Sequence, residues 1–138
     1  DSNYARHETY VNEHGIKNVV FTGFISDEQL RWMYENTAVY CFPSLSEGFG
    51  LPGLEAMLHG APVASSTATC LPETHGDAAH YFDPFSVEDI AKSIDDILSD
   101  DKLRNELIKK GEKHVKTFSW QLMAEQTLAV YEKYGRKS

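Results

Sequence analysis

Residues 38–66 read AVYCFPSLSEGFGLPGLEAMLHGAPVASS, and this stretch decides the fold. It opens on an apolar run, AVYCF (38–42), closed by Pro43; a short run of such residues between turn signals reads as a buried strand. SEGFG is a glycine loop. LPGLEAMLHG (51–60) carries Pro near its first helical position and Gly60 at its end, the asymmetry of a helix. PVASS (62–66) is a second short strand. Strand, helix and strand in this order make a βαβ unit, and the two strands must lie parallel.

The same alternation continues on both sides. Upstream, residues 3–14 are helix-compatible and stop at Gly15, and NVVFTG (18–23) reads as a β-branched strand over 18–22. Ser26-Asp27-Glu28-Gln29 is a capping box opening a helix to about Asn36. Downstream, AHYFD (79–83) is a weaker strand. Ser86 and Asp89 cap a helix through about Leu98, with Ile90, Ile94, Ile97 and Leu98 as its apolar stripe. Helices follow from about Lys102 to Lys116 and from Ser119 to about Tyr134. The fold class is α/β: a Rossmann-like parallel sheet with flanking helices.

The chain has 138 residues and a formal net charge of −8, with 41% hydrophobic and 25% charged residues. These are values of one globular domain, or part of one, and not of a disordered chain. No apolar run reaches membrane-span length, and DSNYARHETY has no signal-peptide core. The acidic balance argues against nucleic acid as a partner. Lys109, Lys110, Lys113 and Lys116 read as a solvated helix face. Cys41 and Cys70 are too few for a disulfide framework, which fits a reducing compartment. The start at Asp1, without Met and at once helical, reads as the start of a piece of something longer.

Ligands of open parallel sheets bind beyond the carboxyl ends of the strands. The loop after 38–42 falls there, with Gly48, Gly50 and Gly53 before or at the start of a helix. Glycine lets backbone approach a ligand, and a helix N-terminus offers N–H donors and partial positive charge. Glu47 in the loop and Glu55 early in the helix add acceptors that repel phosphate but suit vicinal hydroxyls. A diphosphate flanked by polyols, as in a nucleotide-sugar, has both features. Glu55 reads equally well as a residue complementing the helix dipole. Glu73, His75, Asp77 and His80 lack metal-site spacing, and no G-x-S-x-G elbow surrounds Ser44 or Ser46.

FTGFISDEQL, AVYCFPSLSEGFGLPGLEAMLHGAPVASS, LPETHGDAAHYFDP and FSWQLMAEQTLAVYEKY, in this order and spacing, resemble the C-terminal, nucleotide-sugar-binding domain of family-4 retaining glycosyltransferases of GT-B architecture (glycosyl transferases group 1). The resemblance covers nearly the whole chain, so residues 1–138 are expected to form a partial donor-binding domain. It implies that Glu47, first of the E-x7-E motif, contacts the transferred sugar near the reacting carbon as the catalytic residue. Glu55 would bind the ribose hydroxyls. Gly48 and the backbone N–H groups of Phe49, Gly50 and Leu51 would meet the distal phosphate and sugar, and Phe24 and Ile25 the base. The Ser66–Leu71 loop would lie beside the donor pocket. Transfer would proceed with retention and without an obligatory metal or other cofactor.

Two departures from the family pattern stand out. Gly53 replaces a branched apolar residue, and His59 a small one, where it is expected to pack or cap. The acceptor-binding N-terminal domain and the first strand–helix units of the donor domain are absent from the 138 residues, and with them an Arg and a Lys for the diphosphate; Arg31 and Lys17 fall in the wrong segments. Strand 18–22 is then expected either to pair directly with 38–42 or to leave a gap that a second chain fills. The last helix should show an unpartnered apolar stripe, giving a homodimer or an aggregation-prone monomer. A cytoplasmic enzyme, with the complete protein free or at the cytoplasmic face of a membrane, is the expected setting. The alternatives are half of a GT-B-like phosphorylase or epimerase, and a non-catalytic nucleotide-sugar-binding module.

Overall fold

The computed structural model describes residues 2–135. They fall into two compact units, the first ending at Leu30 and the second beginning at Arg31.

In the first unit, helix α1 (Ser2–Glu13) ends before Gly15, whose φ of +61° makes the turn. The extended run that follows lies against α1. The Tyr4 hydroxyl donates to the Phe21 carbonyl at 3.5 Å, and the two rings meet edge to face at 5.4 Å. The sequence reading places a strand at 18–22, but the structure has none there. A strand exists only through a ladder partner, and the run has none among the described residues; Val20 is 82% exposed. Direct pairing of 18–22 with 38–42 is likewise not formed. The capping box is formed as expected. Gln29 N–H donates to Ser26 Oγ (3.3 Å) and Ser26 N–H to Gln29 Oε1 (2.9 Å), opening α2 (Asp27–Asn36).

The second unit is built on three parallel strands in the order β1 (Tyr40–Phe42), β2 (Val63–Ser66), β3 (Ala79–Phe82). Tyr40 pairs with Val63, and Ser66 with Phe82. Between β1 and β2 runs α3 (Leu51–Leu58). Helix α4 (Leu71–His75), which the sequence reading missed, and a single 3₁₀ turn lead into β3. Then come α5 (Val87–Ser99), α6 (Asp101–His114) and α7 (Trp120–Tyr134). Ser86 caps α5 by accepting from Asp89 N–H, Asp100 caps α6, and Ser119 caps α7. Each cap satisfies an N–H that has no intrahelical partner.

β2 is buried over its whole length, as a central parallel strand covered on both faces must be. Ala64 points into a core formed with Phe82, Ile97 of α5 and Leu107 of α6, with Val39, Cys41, Ile90 and Leu103 packed against it. Burial pushes the Cys41 thiol up from its ordinary pKa, which disfavours the reactive thiolate. Leu98, expected on the α5 stripe, is exposed instead, because one residue along a helix turns about 100° from Ile97. At Gly111, a Cβ would lie 3.1 Å from the Met57 side chain, so α6 crosses α3 closely. α7 buries none of its residues; Met123, Leu128, Val130 and Tyr131 are all exposed. Among the described residues, no helix is long and apolar enough to cross a membrane.

Candidate active site

Residues 43–50 leave the carboxyl end of β1 and enter α3 at Gly50. Gly50 adopts φ +89°, a left-handed conformation that costs a glycine little, and a Cβ there would meet Leu71 Cδ2 at 2.5 Å. No side chain caps α3, and Pro52 carries no N–H in its first turn. The helix therefore presents backbone donors and the positive end of its dipole at Gly50 and Leu51.

Glu47 is half-buried and held from three sides. The Ser44 hydroxyl donates to Glu47 Oε1 at 2.8 Å. Glu47 N–H donates to Thr69 Oγ1 at 3.2 Å, and the Cys70 thiol donates to the Glu47 carbonyl at 3.3 Å. Glu55 lies on the exposed face of α3 with Leu51 and Leu58, as spacings of four and three residues require. Burial pushes the hydroxyls of Tyr34 and Tyr40 above the ordinary tyrosine range, and the negative charge of Glu55 adds to both shifts. Glu55 also borders a cleft of about 570 Å³ whose apolar walls include Phe49, Leu54, Val115 and Phe118. Phe49 meets Phe118 edge to face at 5.9 Å.

Beneath the loop sits His75, which is fully buried. Its Nε2 lies 3.0 Å from the Gly50 carbonyl, and its Nδ1 lies 3.2 Å from Ser65 Oγ. A carbonyl only accepts, so Nε2 carries the proton and Nδ1 accepts from Ser65. Burial pulls His75 below the ordinary histidine value; the Gly50 carbonyl opposes that shift and His114 adds to it. A Cβ at Gly53 would land on the His75 ring, which accounts for glycine where the related pattern has a branched residue. Sequence reading set His75 aside with a mixed polar loop and passed over Thr69 and Cys70 as individual residues. The signal in the sequence that points to this packing is Gly53, a glycine where the related pattern has a branched residue.

The structure thus gathers Glu47, Gly48, Phe49, Gly50, Leu51 and Glu55 on one loop and helix start. Phe24 and Ile25 belong to the first unit, where Phe24 is wholly exposed and Ile25 half-buried. The acidic and histidine residues of 73–80 diverge: His75 turns under Gly50, whereas His80 Nε2 lies 3.2 Å from Asp96 Oδ2. His59 packs and caps, as expected. It stacks on Tyr34, and its N–H reaches the Glu55 and Ala56 carbonyls at the end of α3.

Comparison with known proteins identifies the family of the chain. Residues 2–114 match the family described as glycosyl transferases group 1. The chain is 40% identical over 112 residues to the O-antigen chain mannosyltransferase B of Escherichia coli, covering 81% of this chain and 29% of that protein. Among solved structures, the sucrose-phosphate synthase of Thermosynechococcus elongatus superposes with a TM-score of 0.82 at 32% identity, over 94% of this chain and 33% of that one. The C-terminal domain of a glycosyl transferase group 1 family protein from Francisella tularensis superposes with a TM-score of 0.70 at 32% identity, over 83% of this chain and 62% of that one. The chain thus spans about a third of the length of such full-length proteins. With its α/β parallel sheet and this loop, the chain belongs to the glycosyl transferases group 1 family.

Proposed function

We propose that this chain binds a nucleotide-sugar donor and, in the complete enzyme, takes part in transferring the sugar to an acceptor with retention of configuration. The observation that carries the reading is the placement of two carboxylates around one uncapped helix start. Glu47 is clamped in the loop before α3, and Glu55 stands exposed within it. Glu47 accepts hydroxyls of the transferred sugar beside the reacting carbon. Glu55 accepts the ribose hydroxyls, and the N–H groups of Phe49, Gly50 and Leu51 face the distal phosphate. Gly48 keeps the loop open to that approach. The backbone donors and the helix dipole stabilise the charge that builds on the leaving diphosphate. No metal enters the reading, because the groups assigned to the diphosphate are backbone donors. The mannosyltransferase relative favours mannose as the sugar.

Isothermal titration of the complete protein with UDP, GDP and ADP, and with a nucleotide-sugar of each base, tests the proposal. Saturable binding of one base, weakened by Glu55→Ala, is expected. Absence of binding to all three would overturn it.

A further inference from the structure

Thr69 occupies a backbone conformation that suits it poorly. Its φ is +51°, in the left-handed region where a β-branched residue is an outlier. Among the described residues, the other non-glycine with positive φ is Asn18, a type that tolerates the region. Strain of this kind persists only where surrounding contacts hold it, and an observed outlier is grounds to ask what those contacts do.

The contacts of Thr69 lead to Glu47. Thr69 Oγ1 accepts the Glu47 N–H at 3.2 Å across 22 residues of sequence, and it lies 4.0 Å from Cys70 Sγ. The Cys70 thiol closes the ring by donating to the Glu47 carbonyl at 3.3 Å. Both main-chain polar groups of Glu47 are therefore engaged by two adjacent side chains of the 66–71 loop, while Ser44 holds the carboxylate.

We propose that Thr69 and Cys70 are positioning residues for Glu47, clamping its main chain so that its carboxylate is presented at the sugar end of the donor. The proposal rests on the donor-binding reading above. It explains why the corner keeps a strained threonine: glycine would relax the backbone there but would supply no oxygen to the Glu47 N–H.

Substitution at Thr69 separates this role from a purely structural one. Thr69→Gly removes both the strain and the hydroxyl, so its thermal midpoint should equal or exceed that of the parent. Thr69→Val keeps the shape without the oxygen, and Thr69→Ser keeps the oxygen. Each variant, in the complete protein, is titrated with the nucleoside diphosphate that the parent binds (UDP, GDP or ADP) and with the corresponding glucose or mannose derivative. Thr69→Gly and Thr69→Val should bind the sugar derivative roughly fivefold more weakly, with a comparable fall in kcat and the diphosphate affinity unchanged. Thr69→Ser should match the parent. Cys70→Ala should shift in the same direction and Cys70→Ser should not. If Thr69→Gly leaves sugar affinity and kcat at parental values, or lowers both affinities together, the clamp is overturned while the donor reading stands. If the parent binds none of the nucleotides, the donor reading falls and the clamp with it.

Discussion

The imidazole of His75 fills the space that a side chain at residue 53 would need. Gly53 lies in the first turn of α3, and a Cβ built on it falls on the ring that hydrogen-bonds the Gly50 carbonyl. Residues 53 and 75 are therefore one packing decision. A glycine inside a helix costs conformational entropy, and here that loss is offset by room for a buried, doubly hydrogen-bonded histidine that holds the turn into the helix.

A double-mutant cycle should expose this coupling. Gly53→Ala improves helix propensity yet overpacks His75, so it should destabilise the chain by about 1–3 kcal/mol in urea unfolding. In a His75→Ala background the same step should reverse sign and stabilise by about 0.5–1 kcal/mol. Additive effects would mean that the two residues do not share the space.

Stability should also fall with acid through His75. Its folded-state pKa lies below the ordinary histidine value of about 6.5, so the unfolded chain binds the extra proton first. The contribution is complete above pH 6.5 and is lost as pH falls toward the depressed folded value. Thermal midpoints between pH 7.5 and 5 should drop more steeply for the parent than for Gly53→Val/His75→Val, in which valine replaces both members of the pair. Equal slopes would assign the acid sensitivity to other groups.

The two glutamates should divide their effects. Glu55→Ala should weaken nucleoside diphosphate binding by roughly ten- to a hundredfold, while Glu47→Ala in the complete enzyme should mainly lower kcat. Ser44→Ala, which frees the Glu47 carboxylate, should lower kcat and leave diphosphate affinity intact. An unchanged diphosphate affinity in Glu55→Ala would count against the ribose assignment.

Exposed apolar side chains on α7 should make the 138-residue chain associate with itself. Sedimentation velocity should show a dimer or larger species at micromolar concentration, shifted toward monomer by Met123→Glu/Val130→Glu. The same purified chain should transfer no sugar to an acceptor, because water exclusion at the reacting centre needs a closed cleft. A parent chain that sediments as a monomer, or that transfers sugar, would contradict these expectations.

The local elements of this fold can be read from the chain because their causes are local. The Ser26–Gln29 box, the Ser86 and Ser119 caps, the proline and glycine that bound α3, and the three short apolar runs at β1, β2 and β3 each act within a few residues. The family's loop from Glu47 to Glu55 is contiguous, so it too was legible. Tertiary structure alone decided the rest. Residues 18–22 have the composition of a strand but, among the described residues, no neighbour to complete a ladder, and composition cannot supply one. The grip of Thr69 and Cys70 on Glu47, and of His75 on Gly50, spans 22 to 25 residues. Such contacts exist only once β2 has paired beside β1 and carried the following loop and α4 against the loop that precedes α3. Their signature in the chain is no more than a glycine, a threonine, a cysteine and a histidine whose spacing follows no period.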